Sequence, residues 1–236
     1  MLQAAKRYRP RPPDRGNNVT ERCSHICFRA IRRELNPAPL MKLLRLLLVA
    51  ICAIFSTMTL SAETKSESLV LGGGCFWCLD ATYRLMPGVK NVISGYAGGS
   101  VPNPSYEEVC TGVTGHAEVV KIEYDPAQVS IEKLLGFFWT VHDPTTMNSQ
   151  GNDHGTQYRS IILYQNQEQK TAAEKSKAEA QKKHSDPIVT EILPLKTFYR
   201  AEEYHQDYFK KNPHAGYCQY VVKTKVDKAK KTLGQH

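Results

Sequence analysis

The order of its elements predicts an α+β fold, an antiparallel or mixed sheet with helices packed against it. Stretches that alternate apolar and polar residues, at 89–96 and 117–124, mark strands, with helical segments between them. The alternation of strands and helices is too irregular for a doubly wound parallel sheet. Composition agrees with a packed domain: 41% of the 236 residues are hydrophobic and 23% charged, which excludes a disordered or collagen-like chain.

Leu69-Val70-Leu71 runs into Gly72-Gly73-Gly74 and reads as a buried strand that turns sharply. Residues 76–86 form a helix that Pro87-Gly88 stops. The strand at 89–96 gives way at Ala97-Gly98-Gly99 to a loop containing Pro102 and Pro104. Ser105 caps one or two helical turns. The clearest strand, 117–124, ends at Asp125-Pro126, and Ser130 caps a helix through Val141 with Glu132 in its first turn. A polar loop covers 142–157, followed by a strand at 158–164 and a charged, exposed helix at 168–183. A strand at 188–195 and an aromatic-rich helix at 201–211 come next. From Pro213 onward the tail is basic with little period.

The formal charge of +8 resides in residues 1–62, which hold 11 basic and 3 acidic side chains; residues 63–236 hold 20 of each. The folded part is therefore neutral, and nothing in its charge calls for nucleic acid. Residues 1–40 are Arg- and Pro-rich without apolar period, and are expected to be a disordered extension or to lie ahead of a true start at Met41. Met41-Lys42-Leu43-Leu44-Arg45, the apolar run from Leu46 to Leu60 and Ser61-Ala62 have the form of a signal peptide spanning 41–62. The run falls short of the roughly 20 residues a membrane span wants. An exported protein, periplasmic or secreted, is expected, with an uncleaved anchor as the alternative. Its contact with membrane is then through this segment only.

Cys75, Cys78, Cys110 and Cys218 remain in residues 63–236. Cys75 joins three glycines to a helix start, where unpaired backbone N–H groups favour a thiolate, so it is the candidate nucleophile. Phe76 and Trp77 are suited to wall an apolar pocket beside it, unless they are simply core. Glu118 opens a strand and can donate a proton if burial raises its pKa. The polar run Gln150–Ser160, which holds Asp153 and Tyr158, marks a solvated loop or a site lining. Spacings of His116, His142, His154 and His205 with the cysteines fit no tight tetrahedral metal pattern.

The blocks GCFWC, GYAGG, NPSYEEVCTGVTGHAE, HDP, QGNDHGTQYRS and AEEYHQDY…NPHAGYC resemble the peptide methionine sulfoxide reductase A (MsrA) family, in the family's order across residues 68–222. The resemblance implies a two-layer α/β sandwich of ferredoxin-like α-β plait type. It implies Cys75 as the nucleophile that becomes a sulfenic acid, Phe76 and Trp77 as the methyl pocket and Glu118 as the acid. Tyr106 and Tyr158 match hydroxyls that hold the sulfoxide oxygen, and Asp153 matches a supporting residue. Cys218 matches a recycling cysteine and is the favoured resolving thiol. Cys78, where many members carry Gly, is the alternative, and a relay through both stays open. Cys110 matches a cysteine without catalytic role. A second, later recycling cysteine of some members is absent.

The implied activity is reduction of methionine-(S)-sulfoxide, peptide-bound or free, in repair of oxidised proteins. No bound cofactor or metal is implied; thioredoxin or a thioredoxin-like protein supplies electrons, and a monomer is expected. Three rivals stand beside it. CFWC is formally the CxxC of a thioredoxin-like dithiol oxidoreductase. Cys75 with His116 could serve a cysteine hydrolase. Phe76 and Trp77 could anchor peptides in an exported, non-catalytic binding module.

Overall fold

The computed structural model describes residues 66–235. The extension 1–40 and the segment 41–62 lie outside the described residues. Among those described, no helix is long and apolar enough to cross a membrane.

A six-stranded sheet is built from β1 (Glu67–Gly72), β2 (Val89–Ala97), β3 (Ala117–Tyr124), β6 (Ile161–Tyr164), β7 (Glu191–Pro194) and β8 (Phe198–Arg200). Its order is β7-β6-β1-β3-β2-β8. All neighbours are antiparallel except β6 and β7, so the sheet is mixed and the fold α+β. Strand β3 covers 117–124, as its alternation predicts. A separate two-stranded ribbon, β4 (Ser149–Gln150) with β5 (Asp153–His154), folds inside the predicted polar loop.

The strand period of two sends alternate side chains to opposite faces. Leu69, Leu71, Val120 and Ile122 join the main core, and Val70, Val119, Ile161 and Leu163 form a second one under Leu195 and Phe198. Each fully buried aliphatic side chain contributes about 1.5–3 kcal/mol. An exposed ion pair such as Lys182–Glu179 is screened by water and adds little beside that. Burial on both faces therefore fixes the sheet.

Helix α1 (Phe76–Tyr83) follows β1, and Ser105 caps α2 (Tyr106–Cys110) in a reciprocal capping box with Glu108. Ser130 accepts from Lys133 N at the start of α3 (Ile131–Val141). Helix α4 (Gln167–Gln181) is largely exposed but buries Ala173 and Ala180.

Two predicted features are corrected. Residues 201–211 do not form one helix. The Gln206 carboxamide bonds Ser94 N and Ser94 O, each at 3.0 Å, and Ala201 O at 2.8 Å, pinning this segment to the edge of β2. A 3-10 turn (Glu203–His205), a left-handed Asp207 (φ 54°) and short α5 (Tyr208–Lys211) result. The tail is also structured: a π-turn (Cys218–Val222) leads into α6 (Lys223–Thr232). Val222, Val226 and Ala229 are buried at helical spacing among the lysines, a stripe too narrow to register as a period.

Candidate active site

Three glycines let β1 turn into α1 against β3. A Cβ on Gly72 would lie 2.8 Å from both the Glu118 carbonyl and Ile161 Cγ2, and Gly74 has φ +89° with Gln150 packed over it. This turn sets Cys75 as the N-cap of α1. The next amide, Phe76 N–H, donates to Glu118 Oε2 at 3.0 Å. The turn thus brings nucleophile and carboxyl together.

A cavity of about 280 Å³ opens there, lined by Cys75, Phe76, Trp77, Tyr106, Glu118, Asp153, Tyr158 and Tyr217. Every predicted nucleophile, acid, pocket and hydroxyl residue is on that wall. Cys78 and Cys218 are not.

Glu118 is 1% exposed, and burial raises its pKa to about 8, against the Phe76 N–H bond that favours the anion. At neutral pH it carries a proton. Burial likewise raises Tyr106 and Tyr158, with the Glu118 charge adding to it, so both hydroxyls remain donors. Asp153 Oδ2 accepts from Tyr217 Oη at 2.6 Å.

Cys75 differs from the expected thiolate. Burial, the hydrogen bond to the Cys78 thiol and the Glu118 charge together push its pKa well up, and the Trp77 N–H opposes them weakly. Helix-terminal stabilisation of about 0.3–1 kcal/mol is outweighed by desolvation. Cys78 is shifted the other way, by the hydrogen bond from Cys75 first and by Lys225 and the Tyr217 hydroxyl in addition. Cys218 sits fully buried in the π-turn against α1, not in a loose tail, and both burial and the Cys78 charge raise its pKa. Cys110 is exposed, its thiol beside the Tyr106 hydroxyl.

The aromatic wall is held from the segment that sequence reasoning read as a plain helix. Trp77 stacks on Tyr208, centroids 3.7 Å apart at 6°, and its Nε1–H donates to His205 Nδ1 at 3.2 Å. His205 also packs on Phe76 and Tyr106. Glu202 accepts from Tyr106 N and from Tyr96 Oη. The aromatic density of AEEYHQDY was the available signal for His205 and Tyr208. For Tyr217 it was only adjacency to Cys218. His116 and His142 are occupied by backbone and Ser160 contacts.

Replacing His205 by Phe removes the acceptor of the Trp77 indole. Losing a buried hydrogen-bond partner costs about 1–3 kcal/mol. Steady-state kinetics should show KM raised about fivefold or more with a smaller change in kcat; an unchanged KM would exclude this positioning role.

An α+β scaffold holding a buried cysteine beside a protonated carboxyl in an aromatic-walled cavity is the frame of a cysteine-dependent enzyme. The profile described as peptide methionine sulfoxide reductase matches residues 67–236. Peptide methionine sulfoxide reductase MsrA of Nautilia profundicola is 62% identical over 159 residues, covering 67% of this chain and 91% of that protein. Its counterpart in Saccharolobus solfataricus is 52% identical over 162 residues, 69% of this chain and 92% of its own. Reduced Mxr1 of Saccharomyces cerevisiae superposes with TM-score 0.63 at 40% identity, covering 66% of this chain and 91% of that one. Methionine sulfoxide reductase A of Corynebacterium diphtheriae does so with TM-score 0.61 at 39%, covering 69% and 82%. The chain belongs to the peptide methionine sulfoxide reductase family and is a peptide-methionine sulfoxide reductase.

Proposed function

We propose that the chain reduces methionine-(S)-sulfoxide, peptide-bound and free, through a Cys75 sulfenic acid and then an intramolecular disulfide. The carrying observation is Glu118, protonated at neutral pH and bonded to the amide next to Cys75, across one cavity from Trp77. The Cys75 sulfur attacks the sulfoxide sulfur while Glu118 gives its proton to the oxygen. Tyr106 and Tyr158 donate to that oxygen, and Phe76 and Trp77 hold the methyl group. The thioether leaves, the oxygen ends on Cys75 as a sulfenic acid, and the thiol proton restores Glu118.

A second thiol then displaces water. The Cys75 thiol hydrogen-bonds that of Cys78 in the reduced protein, whereas Cys218 feels Cys78 only through its charge and makes no such bond to Cys75 among the described residues. Resolution by Cys78, followed by exchange onto Cys218, suits this arrangement better than direct attack by Cys218. A dithiol protein of the thioredoxin class then reduces the disulfide. Export through 41–62 and a role in oxidative damage repair complete the reading. So does a plait-type assignment of the fold, which rests on the strand order β6-β1-β3-β2 with α1 and α3 as its crossovers.

The test is intact mass after mixing the reduced full chain with one equivalent of methionine-(S)-sulfoxide peptide and no reductant. The peptide should lose one oxygen and the chain two hydrogens, with neither change in Cys75→Ser and none for the R epimer. Deoxygenation by Cys75→Ser would overturn the proposal. No deoxygenation in the wild type, with disulfide exchange on a model dithiol, would favour the thioredoxin-like rival.

A further inference from the structure

A second cavity, about 240 Å³, adjoins the reactive one across a single residue, Asp153, which lines both. Its walls are the Gly151-Asn152 tip of the β4-β5 ribbon on one side and Tyr220, Thr224 and Lys225 of the C-terminal helical segment on the other. Two of its groups make no ion pair or side-chain hydrogen bond among the described residues, although the Lys225 charge also reaches Cys78. Lys225 is half-buried, yet it forms no ion pair among the described residues, while Lys223 on the same helix pairs with Asp227 at 2.7 Å. The Asn152 carboxamide makes no side-chain hydrogen bond among the described residues. Gln150, by contrast, is spent on the Asp143 backbone, and Thr224 on Tyr220 O. Tyr220, 82% exposed, stands at the rim as an open contact surface.

A part-buried lysine with no ion pair among the described residues, beside the exposed Asn152 carboxamide, can receive a carboxylate carried on a peptide. The neighbouring carboxylate, Asp153, has Oδ2 turned to the Tyr217 hydroxyl. Since residues 63–236 are neutral overall, attraction of an anion here is local and not a property of the whole surface.

We propose that this cavity is a flanking-residue subsite of the substrate peptide: Lys225 pairs with an acidic side chain next to the oxidised methionine, and Asn152 bonds the peptide backbone between them. The proposal rests on the reductase reading above. It makes oxidised methionines in acidic surroundings the preferred substrates.

The test is single-turnover deoxygenation by the full chain, without reductant, of three peptides. They carry Ala, Glu or Lys on both sides of methionine-(S)-sulfoxide. Glu over Ala should be favoured about three- to tenfold in the second-order rate constant of deoxygenation at low salt, with Lys disfavoured. The preference should shrink to within about twofold at high salt, as a partly exposed pair is screened. In Lys225→Gln the Glu-to-Ala ratio should fall to about one, and in Lys225→Arg it should persist. The ratio within each variant is read, so any effect of Lys225 on Cys78 cancels. Equal rates for the three peptides, or a preference untouched by Lys225→Gln, would remove the subsite alone. Failure of all three peptides to react would remove the reductase reading and the subsite with it.

Discussion

Glu118→Gln is expected to slow first-turnover deoxygenation about 10²–10³-fold, within the range that general acids supply. Glutamine keeps an acceptor for Phe76 N–H, now 3.0 Å from Oε2, so the α1 turn survives while the transferable proton is lost. Wild-type rates should hold through neutral pH and fall as pH passes about 8, where Glu118 ionises. The variant should lack that limb. Quenched-flow measurement across pH decides it: a retained limb at pH 8 would assign the ionisation to another group.

Stability gives a second readout with a fixed sign. The folded carboxyl titrates near 8 and an unfolded glutamate near 4.5, so the native state holds the extra proton between those values. The stabilising contribution is full below about pH 4.5, declines as pH rises, and is gone above about 8. At about 1.4 kcal/mol per unit, the ceiling is of the order of 4–5 kcal/mol. Glu118→Gln should flatten this part of the wild-type slope in denaturant titrations. A carboxylate kept as a structural ion-pair partner would give the opposite slope.

What the sequence discloses depends on how local the cause is. The alternation of 117–124 reports a strand buried between two others, and its reading as β3 is accurate to the residue. Ser105 and Ser130 act within one helical turn, so their caps are legible. Residues 201–211 were not, because Gln206 is held by Ser94 on a different strand, a contact no local pattern encodes. Cys75, Glu118, Tyr106, Tyr158, Asp153, Phe76 and Trp77 were named from their blocks, and one cavity gathers them. The protonation of Cys75 was missed because it is decided by burial and by Cys78 and Glu118, not by the helix start beside it. His205 reads in the sequence only as a candidate metal ligand, whereas its Nδ1 accepts from the Trp77 indole.

The order of the thiols has the sharpest consequence. Cys78→Ser should leave the first deoxygenation within a few-fold of wild type and slow disulfide formation about 100-fold or more, leaving a sulfenic acid on Cys75 that a dimedone adduct would mark. The reason is proximity: the Cys78 thiol already hydrogen-bonds that of Cys75, and oriented neighbours gain many orders of effective concentration. Cys78 is also the more acidic of the two: the hydrogen bond from the Cys75 thiol first, then Lys225 and the Tyr217 hydroxyl, favour its thiolate, the form that attacks. Cys218→Ser should still form the Cys75–Cys78 bond at nearly the wild-type rate but lose turnover with a dithiol protein. Cys218, at 0% exposed, needs the π-turn to open before any reductant reaches it, so exchange onto it couples oxidation to loosening of the Cys218–Val222 segment. Intact mass with peptide mapping of the disulfide, followed over time in both variants, separates the routes. A sulfenic acid trapped by Cys218→Ser and not by Cys78→Ser would reverse the order and make direct attack from the π-turn the resolving step.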